Sequence, residues 1–186
     1  MRKFMLFIGI GVGILIALFI GVDFMNMRYT KSFSPEETVE YKSDKVHLEV
    51  FYNRPFKKGR QIFGALVPYN QVWRTGANEA TTFSTNRDLL VEGKRLPAGT
   101  YSLWTIPGEN TWQIMFNREI GQWGVNANGE PNRNPQADVL SIPVQSVTQE
   151  RVFEQFTIEF NSDGNEPEMV LYWDKTLVAI PIEVSK

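Results

Sequence analysis

The sequence contains no cysteine and only one histidine, His47. Without cysteine, the chain forms no disulfide, has no thiol nucleophile, carries no lipid through a thiol and offers no cysteine ligand to a metal. A single histidine makes a multi-histidine metal centre or a Ser-His-Asp triad hard to build, and we find no nucleophile motif. His47 lies in the alternating segment VHLEVFY without partners at ligand spacing, so we expect an ordinary strand residue, no metal site and no cofactor.

The chain also lacks an excess of charge of either sign, with a formal net charge of -2. So weak a field gives no reason to expect a nucleic-acid partner. Aromatic residues are plentiful, with 13 Phe, 6 Tyr and 5 Trp, and this composition favours strands over helices. A chain of 186 residues is long enough for one domain with a sizeable core.

Charged residues are missing from Phe4–Val22, which is almost wholly apolar and would span about 28 Å as a helix. Arg2 and Lys3 precede it, so we expect the N-terminus in the cytoplasm and the rest of the chain outside. A cleaved signal peptide has a similar start, but this run is longer than usual and no small-x-small cleavage site stands out after it. The sequence therefore predicts a single-pass membrane helix over residues 1–22, with the lipid bilayer as the partner of residues 4–22.

Small residues recur at every fourth position of this predicted helix, at Gly9, Gly13, Ala17 and Gly21. In lipid, such a ridge lets two helices approach closely, so self-association through it is one interpretation. The other interpretation is that glycine is simply common in membrane helices.

Residues 23–44 are polar and charged, and they predict a tether between the membrane and an outer domain. Within them, SPEETV has the signature of a helix start. Ser34 would be the cap, Pro35 would lie in the first turn and Glu37 would follow three residues after the cap. We therefore expect a tether with a possible short helix.

From Lys45 onward the hydrophobic pattern has a period of two, as in Trp112, Ile114 and Phe116, and no long amphipathic helix is evident. Asp163-Gly164 and similar pairs predict turns between short strands. We expect an all-β domain over residues 45–186, built as a single β-sandwich or barrel-like body of about seven to nine mostly antiparallel strands. Its Asn-, Pro- and Gly-rich segment Gly124–Asp138 predicts a long surface loop.

Strongly polar residues stand beside glycine and aromatic residues in VWRTGANEATTF, from Val72 to Phe83. Arginine forks bind carboxylates and phosphates, and aromatic rings can stack on sugars. One interpretation is thus a pocket for a small anion or a sugar. The other is a structural network, in which removal of one partner from a buried ion pair costs about 3–5 kcal/mol. The candidate ligand-binding residues are Arg54, Arg60, Tyr69, Trp73, Arg74, Asn78 and Glu79.

The run from Tyr52 to Phe83 resembles the bacterial family called domain of unknown function 2911. The matching motifs include Arg54-Pro55, Gly59-Arg60, Leu66-Val67-Pro68-Tyr69, Val72 to Thr81, Leu96 to Leu103, Ile106-Pro107-Gly108 and Trp123-Gly124. The resemblance extends from about Ser34 to the C-terminus. Asn53 departs from it where a serine is expected, and Ser141 where an arginine is usual. Because the family has no settled activity, the resemblance implies no reaction.

The leading functional hypothesis is a membrane-anchored binding or envelope-interaction module outside the cytoplasm, which is the periplasm in an envelope with two membranes. Its ligand would be a small anion, a sugar or an envelope protein, and no catalytic residue is assigned. The alternative is a carbohydrate-processing or other hydrolase that uses Glu79, with Arg74 and Asn78 as substrate clamps. Such an enzyme needs a second carboxylate, and Asp88, Glu92 and Asp138 are available without diagnostic spacing.

Overall fold

A computed structural model describes residues 2–162 and 166–185, but not the side chains of residues 2–10, 23, 24 and 27. The predicted turn at Asp163-Gly164 lies outside the described residues. The described elements are one long helix, nine strands and one 3-10 turn. They are α1 (Arg2–Phe33), β1 (Glu36–Lys42), β2 (His47–Asn53), β3 (Thr82–Thr85), β4 (Leu89–Val91), β5 (Lys94–Leu96), β6 (Gly99–Ile106), β7 (Thr111–Asn117), the 3-10 turn Pro135–Ala137, β8 (Asp138–Asn161) and β9 (Glu168–Val184).

The helix α1 is a compact unit by itself and contains 32 residues. In the part of the chain that the structure describes, we find no helix that combines the length and the apolar composition needed to cross a membrane. The predicted span begins among residues 4–10, whose side chains lie outside the description, and Gly9 of the predicted ridge falls among them.

The second compact unit begins at Ser34, eleven residues before the predicted start of the β domain. The helix continues to Phe33, through the first part of the predicted tether. The short helix expected from Ser34 is wrong, because Glu36–Lys42 is the strand β1. Its residues alternate between exposed and half-buried positions, and this alternation is the period of a strand with one face on a core. The capping signature at Ser34 was therefore misleading.

The nine strands form one open, antiparallel sheet in the order β1-β2-β3-β6-β7-β8-β9-β4-β5. The all-β, mostly antiparallel prediction is confirmed, whereas the structure has one sheet and not the two of the expected sandwich. The sheet stays single because β8 and β9, with 24 and 17 residues, are much longer than ordinary strands. Register shifts between Thr148 and Thr157 interrupt their pairing, so both strands continue past a bend instead of ending at a turn.

The sheet folds over its main core cluster, which places β2 against the far end of β8, and a second, small buried cluster consists of Ala80, Trp104 and Met115. The hydroxyl of Tyr52 donates to the carbonyl of Ile158 at 3.2 Å and accepts from its N–H at 2.9 Å. An aromatic cluster fills this region, with the Trp73 ring stacked on Trp173 at a centroid distance of 6.1 Å and set edge-on to Phe156 at 5.0 Å. Pairs of this kind stabilise a fold by about 0.5–1.5 kcal/mol beyond their buried area.

Candidate functional site

The polar segment Val72 to Phe83 forms the last part of the connection from β2 to β3, includes the start of β3 and lies beside β6. Backbone hydrogen bonds join Trp73 to Thr105 in both directions, at 2.7 and 3.0 Å. The N–H of Thr81 donates to the carbonyl of Arg74 at 3.3 Å, which closes the segment into a loop. The loop is therefore held to the sheet at its first residues and folds back on itself.

Four residues of this region form a hydrogen-bonded group that we call the polar knot: Asn53, Arg74, Asn78 and Glu79. Asn53 lies at its centre, with no exposed surface. Its amide Nδ2 donates to Glu79 Oε2 at 3.0 Å, and its Oδ1 accepts from Asn78 Nδ2 at 3.1 Å. The structure thus brings together three of the predicted residues through a fourth that sequence analysis noted only as a departure from the family.

Arg74 completes the knot from the loop side. Its Nη1 donates to the carbonyls of Asn78 at 2.8 Å and Trp123 at 3.0 Å. Burial lowers the pKa of Arg74, and the nearby Glu79 carboxylate opposes that shift. Gly124 packs directly on this side chain, since a Cβ there would lie 2.5 Å from Arg74 Cδ. The guanidinium therefore ties two loops together.

The backbone of the loop is held in an uncommon conformation at Thr75. This β-branched residue has a φ of 57°, in the left-handed region that such side chains rarely adopt, and it is fully buried. Its hydroxyl donates to Thr105 Oγ1 at 3.2 Å, and its carbonyl accepts from Thr81 Oγ1 at 2.7 Å. The next residue, Gly76, approaches so closely that a Cβ would lie 2.9 Å from the carbonyl oxygen of Asn53. Buried hydroxyls and a close backbone contact thus support the strained turn.

The structure does not link the other two arginines to the knot. Arg54 forms a salt bridge with Glu37 at 2.8 Å and donates through Nη2 to Thr157 Oγ1 at 2.8 Å, so it connects β1, β2 and β8. Arg60 is exposed and donates to the carbonyls of Phe56 and Lys57 within its own loop. The predicted candidates therefore separate into different local networks.

The two aromatic candidates are both packed against the core. Trp73 donates from Nε1 to the carbonyl of Gly76 at 3.0 Å, and its ring contacts the aromatic cluster. The ring of Tyr69 lies against Gly64, where a Cβ would be 2.8 Å from its Cε2. Both side chains are half-buried, and these contacts hold each ring against the rest of the chain.

Two of the three acids considered as second carboxylates are engaged elsewhere. Asp88 accepts from the Ala98 N–H at 2.8 Å and from Arg95, and the Ala98 bond is the main cause that lowers the Asp88 pKa. Asp138 pairs with Arg133 and accepts from Asn117 Nδ2 at 2.7 Å. The third acid, Glu92, has a φ of 49° in the turn between β4 and β5.

A second group of chemistry-bearing side chains lies on β1 and β2, and sequence analysis missed it. Glu40, His47 and Glu49 place one potential ligand atom each within 4.8 Å of one another. His47 seemed to lack partners because residues 23–44 were predicted as a tether. The alternation of Val39 and Tyr41 with charged residues was the signal that could have placed Glu40 on a neighbouring strand.

Comparison with known proteins gives one match. The model of the family described as "Protein of unknown function (DUF2911)" matches residues 34–182. Neither the curated proteins nor the solved structures gave a match to this chain. The matched region covers most of the chain and includes the polar knot, strands β1 to β8 and most of β9. The chain therefore belongs to the DUF2911 family.

Proposed function

We propose that this protein is a binding module held at the cytoplasmic membrane by α1, with its β domain outside the cytoplasm. The observation that carries the anchor is the exposure of large apolar side chains along α1. Between residues 12 and 22 these side chains are all about half exposed or more: Val12, Ile14, Leu15, Ile16, Leu18, Phe19, Ile20 and Val22. Apolar residues on all sides of an uncovered helix indicate a lipid environment or an extensive apolar partner.

The polar knot supports a binding module over a hydrolase. Glu79 accepts a hydrogen bond from the fully buried Asn53, and Arg74 donates to two backbone carbonyls. A substrate clamp would have to release these bonds before it could hold a ligand. The contacts are those of a network that shapes the loops, and the hydrolase alternative has no geometric support of its own.

The same contacts favour one class of ligand over the others. A pocket for a small anion or a sugar would depend on Arg54, Arg74 and Trp73, and all three are engaged within the chain. An envelope protein would instead bind exposed surface that the knot holds in shape. We therefore propose an envelope component as the partner.

Two lysines placed in the apolar segment test the anchor. Leu15 and Ile16 are 67% and 55% exposed. Each lysine near the middle of a membrane helix costs about 2.5–3.5 kcal/mol. We expect the wild-type chain to stay with membranes through an alkaline carbonate wash and to dissolve in detergent. The variant with L15K and I16K should lose this membrane association.

The control is Leu66→Lys, which places one lysine at a 45% exposed leucine of the β domain. It should fractionate like the wild type. Tryptophan fluorescence should show that the β domain is folded in every variant. A wild-type chain that the carbonate wash releases would contradict the anchor.

A further inference from the structure

We propose that Glu40, His47 and Glu49 bind a divalent transition-metal ion of the Zn²⁺ class, and we call these residues the metal triad. Neutral imidazole and carboxylate oxygen are ligands that such ions take in proteins. The triad lies on the face of β1 and β2 and shares no residue with the polar knot. The proposal is therefore independent of the membrane anchor and of the role of the knot.

The register of the sheet brings the three side chains together. Glu40 on β1 is the direct cross-strand partner of Glu49 on β2. His47 precedes Glu49 by two residues, so both side chains point to the same face of the strand. The ligands thus come from two paired strands, and the metal would bind to a rigid support.

Two observations suggest that this arrangement accommodates a cation. Glu40 and Glu49 are directly opposite each other, an arrangement in which like charges repel; Lys42 offsets this at Glu40, and a bound cation would offset the charge of both carboxylates. The Nε2 atom of His47 is itself covered, although the side chain is 40% exposed, and the atom makes only a long contact of 3.4 Å with Glu40 Oε2. Metal coordination would replace this long contact with a short bond.

The spacing suits a metal after a small adjustment. Zinc bonds of about 2.0–2.2 Å place neighbouring ligand atoms roughly 3.5 Å apart. The triad atoms lie within 4.8 Å, so the widest pair must close by about 1 Å, which rotation of a glutamate side chain can supply. An open hollow of about 260 Å³ adjoins the triad and is lined by His47, Glu49, Ser84, Thr85 and Asn86. It gives a metal access from solvent and room for a further ligand.

Lys42 is the natural competitor for this metal. Its ammonium forms a salt bridge with Glu40 Oε2, and its side chain is 62% exposed. Exposed pairs of this kind contribute little to stability, so a metal can displace the lysine at little cost. Removal of this contact should therefore raise the metal affinity, whereas removal of a ligand should lower it. Lys42→Gln should tighten metal binding by up to about fivefold.

The experiment uses the full chain without an affinity tag, in detergent, titrated with Zn²⁺ in a calorimeter. Co²⁺ replaces Zn²⁺ for visible absorption, which reports the coordination geometry. Because the chain has one histidine, the imidazole NMR signals belong to His47 without assignment. We expect one saturable site per chain, and a shift of the His47 signals that saturates with it.

Ligand variants decide the assignment. His47→Gln and Glu49→Gln should each weaken Zn²⁺ binding about tenfold or more, whereas Glu150→Gln, at an exposed acid outside the triad, should not change it. Circular dichroism checks the fold, and the wild-type NMR titration tests the triad even if a variant unfolds. Zn²⁺ binding that leaves the His47 signals unmoved would overturn the proposal. Equal Zn²⁺ affinity in the wild type and in His47→Gln would also overturn it, as would the absence of a saturable site.

Discussion

Arg74 is the residue at which the two interpretations of the polar knot differ most. A ligand clamp needs a guanidinium that can move toward solvent, whereas a structural tie needs one that is packed in place. Nη1 bonds to the carbonyls of Asn78 and Trp123, and the aliphatic part of the side chain lies against Gly124. Close packing on both ends of the side chain favours the structural tie.

Gly124→Ala tests how firmly Arg74 is held. The substitution introduces a Cβ 2.5 Å from Arg74 Cδ, at a residue whose φ is +92°. The left-handed backbone alone costs about 1–2 kcal/mol, and the overlap should add about 1–3 kcal/mol. We expect the free energy of unfolding, measured by urea denaturation, to fall by the sum of the backbone cost and the overlap cost.

Gly121→Ala is the matched control for this substitution. Gly121 has a φ of +84°, and a Cβ there would meet nothing within 4 Å, so it carries the backbone cost alone. If Arg74 could swing away freely, the two alanine variants would lose the same stability. Equal losses would therefore contradict the structural tie and return Arg74 to the list of ligand-binding candidates.

At the scale of elements, Tyr52 connects two strands that are far apart in sequence. Its hydroxyl bonds to both backbone groups of Ile158, so it joins β2 to the far end of β8. Burial raises the pKa of Tyr52 to about 12. The ordinary value in an unfolded chain is about 10. The folded state therefore holds the phenolic proton more tightly than the unfolded state does.

Tyr52→Phe should alter stability at neutral pH and also its dependence on alkaline pH. The lost hydroxyl leaves two backbone groups of Ile158 without this partner, at a cost of about 1–3 kcal/mol. In the wild type, the contribution from the raised pKa is fully present below about pH 10 and is lost as pH rises through about 12, up to roughly 2.7 kcal/mol. The variant should therefore show a shallower alkaline decline in urea denaturation.

Tyr172→Phe is the comparison, because the Tyr172 hydroxyl bonds to the Glu159 carboxylate on the exposed surface at 2.8 Å. Burial, followed by Glu159, raises the pKa of Tyr172 to about 12 as well, but solvent screening reduces its effect on stability. We expect a smaller loss at neutral pH than in Tyr52→Phe. An identical alkaline decline in wild type and Tyr52→Phe would show that Tyr52 does not couple β2 to β8.

The sequence predicted elements where the local pattern was strong. Apolar residues on both faces of Tyr101–Ile106 predict a central strand, and β6 indeed lies between β3 and β7. The segment Gly124–Asp138 is predicted to be a surface loop, and it is a mostly exposed loop that contains the short 3-10 turn Pro135–Ala137. In both segments a residue's neighbours in sequence determine its environment.

The rest depended on contacts that no local pattern encodes. β1 was missed because a charged strand at the edge of a sheet carries few apolar residues. The continuity of β8 through its bend depends on pairing with β9, which lies later in the chain. Asn53 likewise became part of the knot only through partners 25 and 26 residues away. Tertiary contacts outweighed local propensity at each of these points.

At the scale of the whole molecule, the chain has two compact units, to which we assign different functions. The first unit is a helix with exposed apolar side chains, and the second, from Ser34 onward, is the β domain that carries the knot and the metal triad. The family match begins at residue 34, where the second unit begins. The family model therefore matches the β domain and not the helix, and under the membrane anchoring that we propose the helix would hold this domain at the membrane.

The orientation of the chain is testable because the natural sequence has no thiol. Glu150→Cys introduces one at an exposed position of β8, and Phe156 and the rest of the core lie too deep to be disturbed by it. Arg2 and Lys3 predict a cytoplasmic N-terminus, so the cysteine should face the outside of the membrane. We expect a membrane-impermeant maleimide to label this variant in intact spheroplasts as fully as after lysis, while the cysteine-free wild type stays unlabelled. Labelling that requires lysis would place the β domain in the cytoplasm, and the proposed envelope partner would then have no access to it.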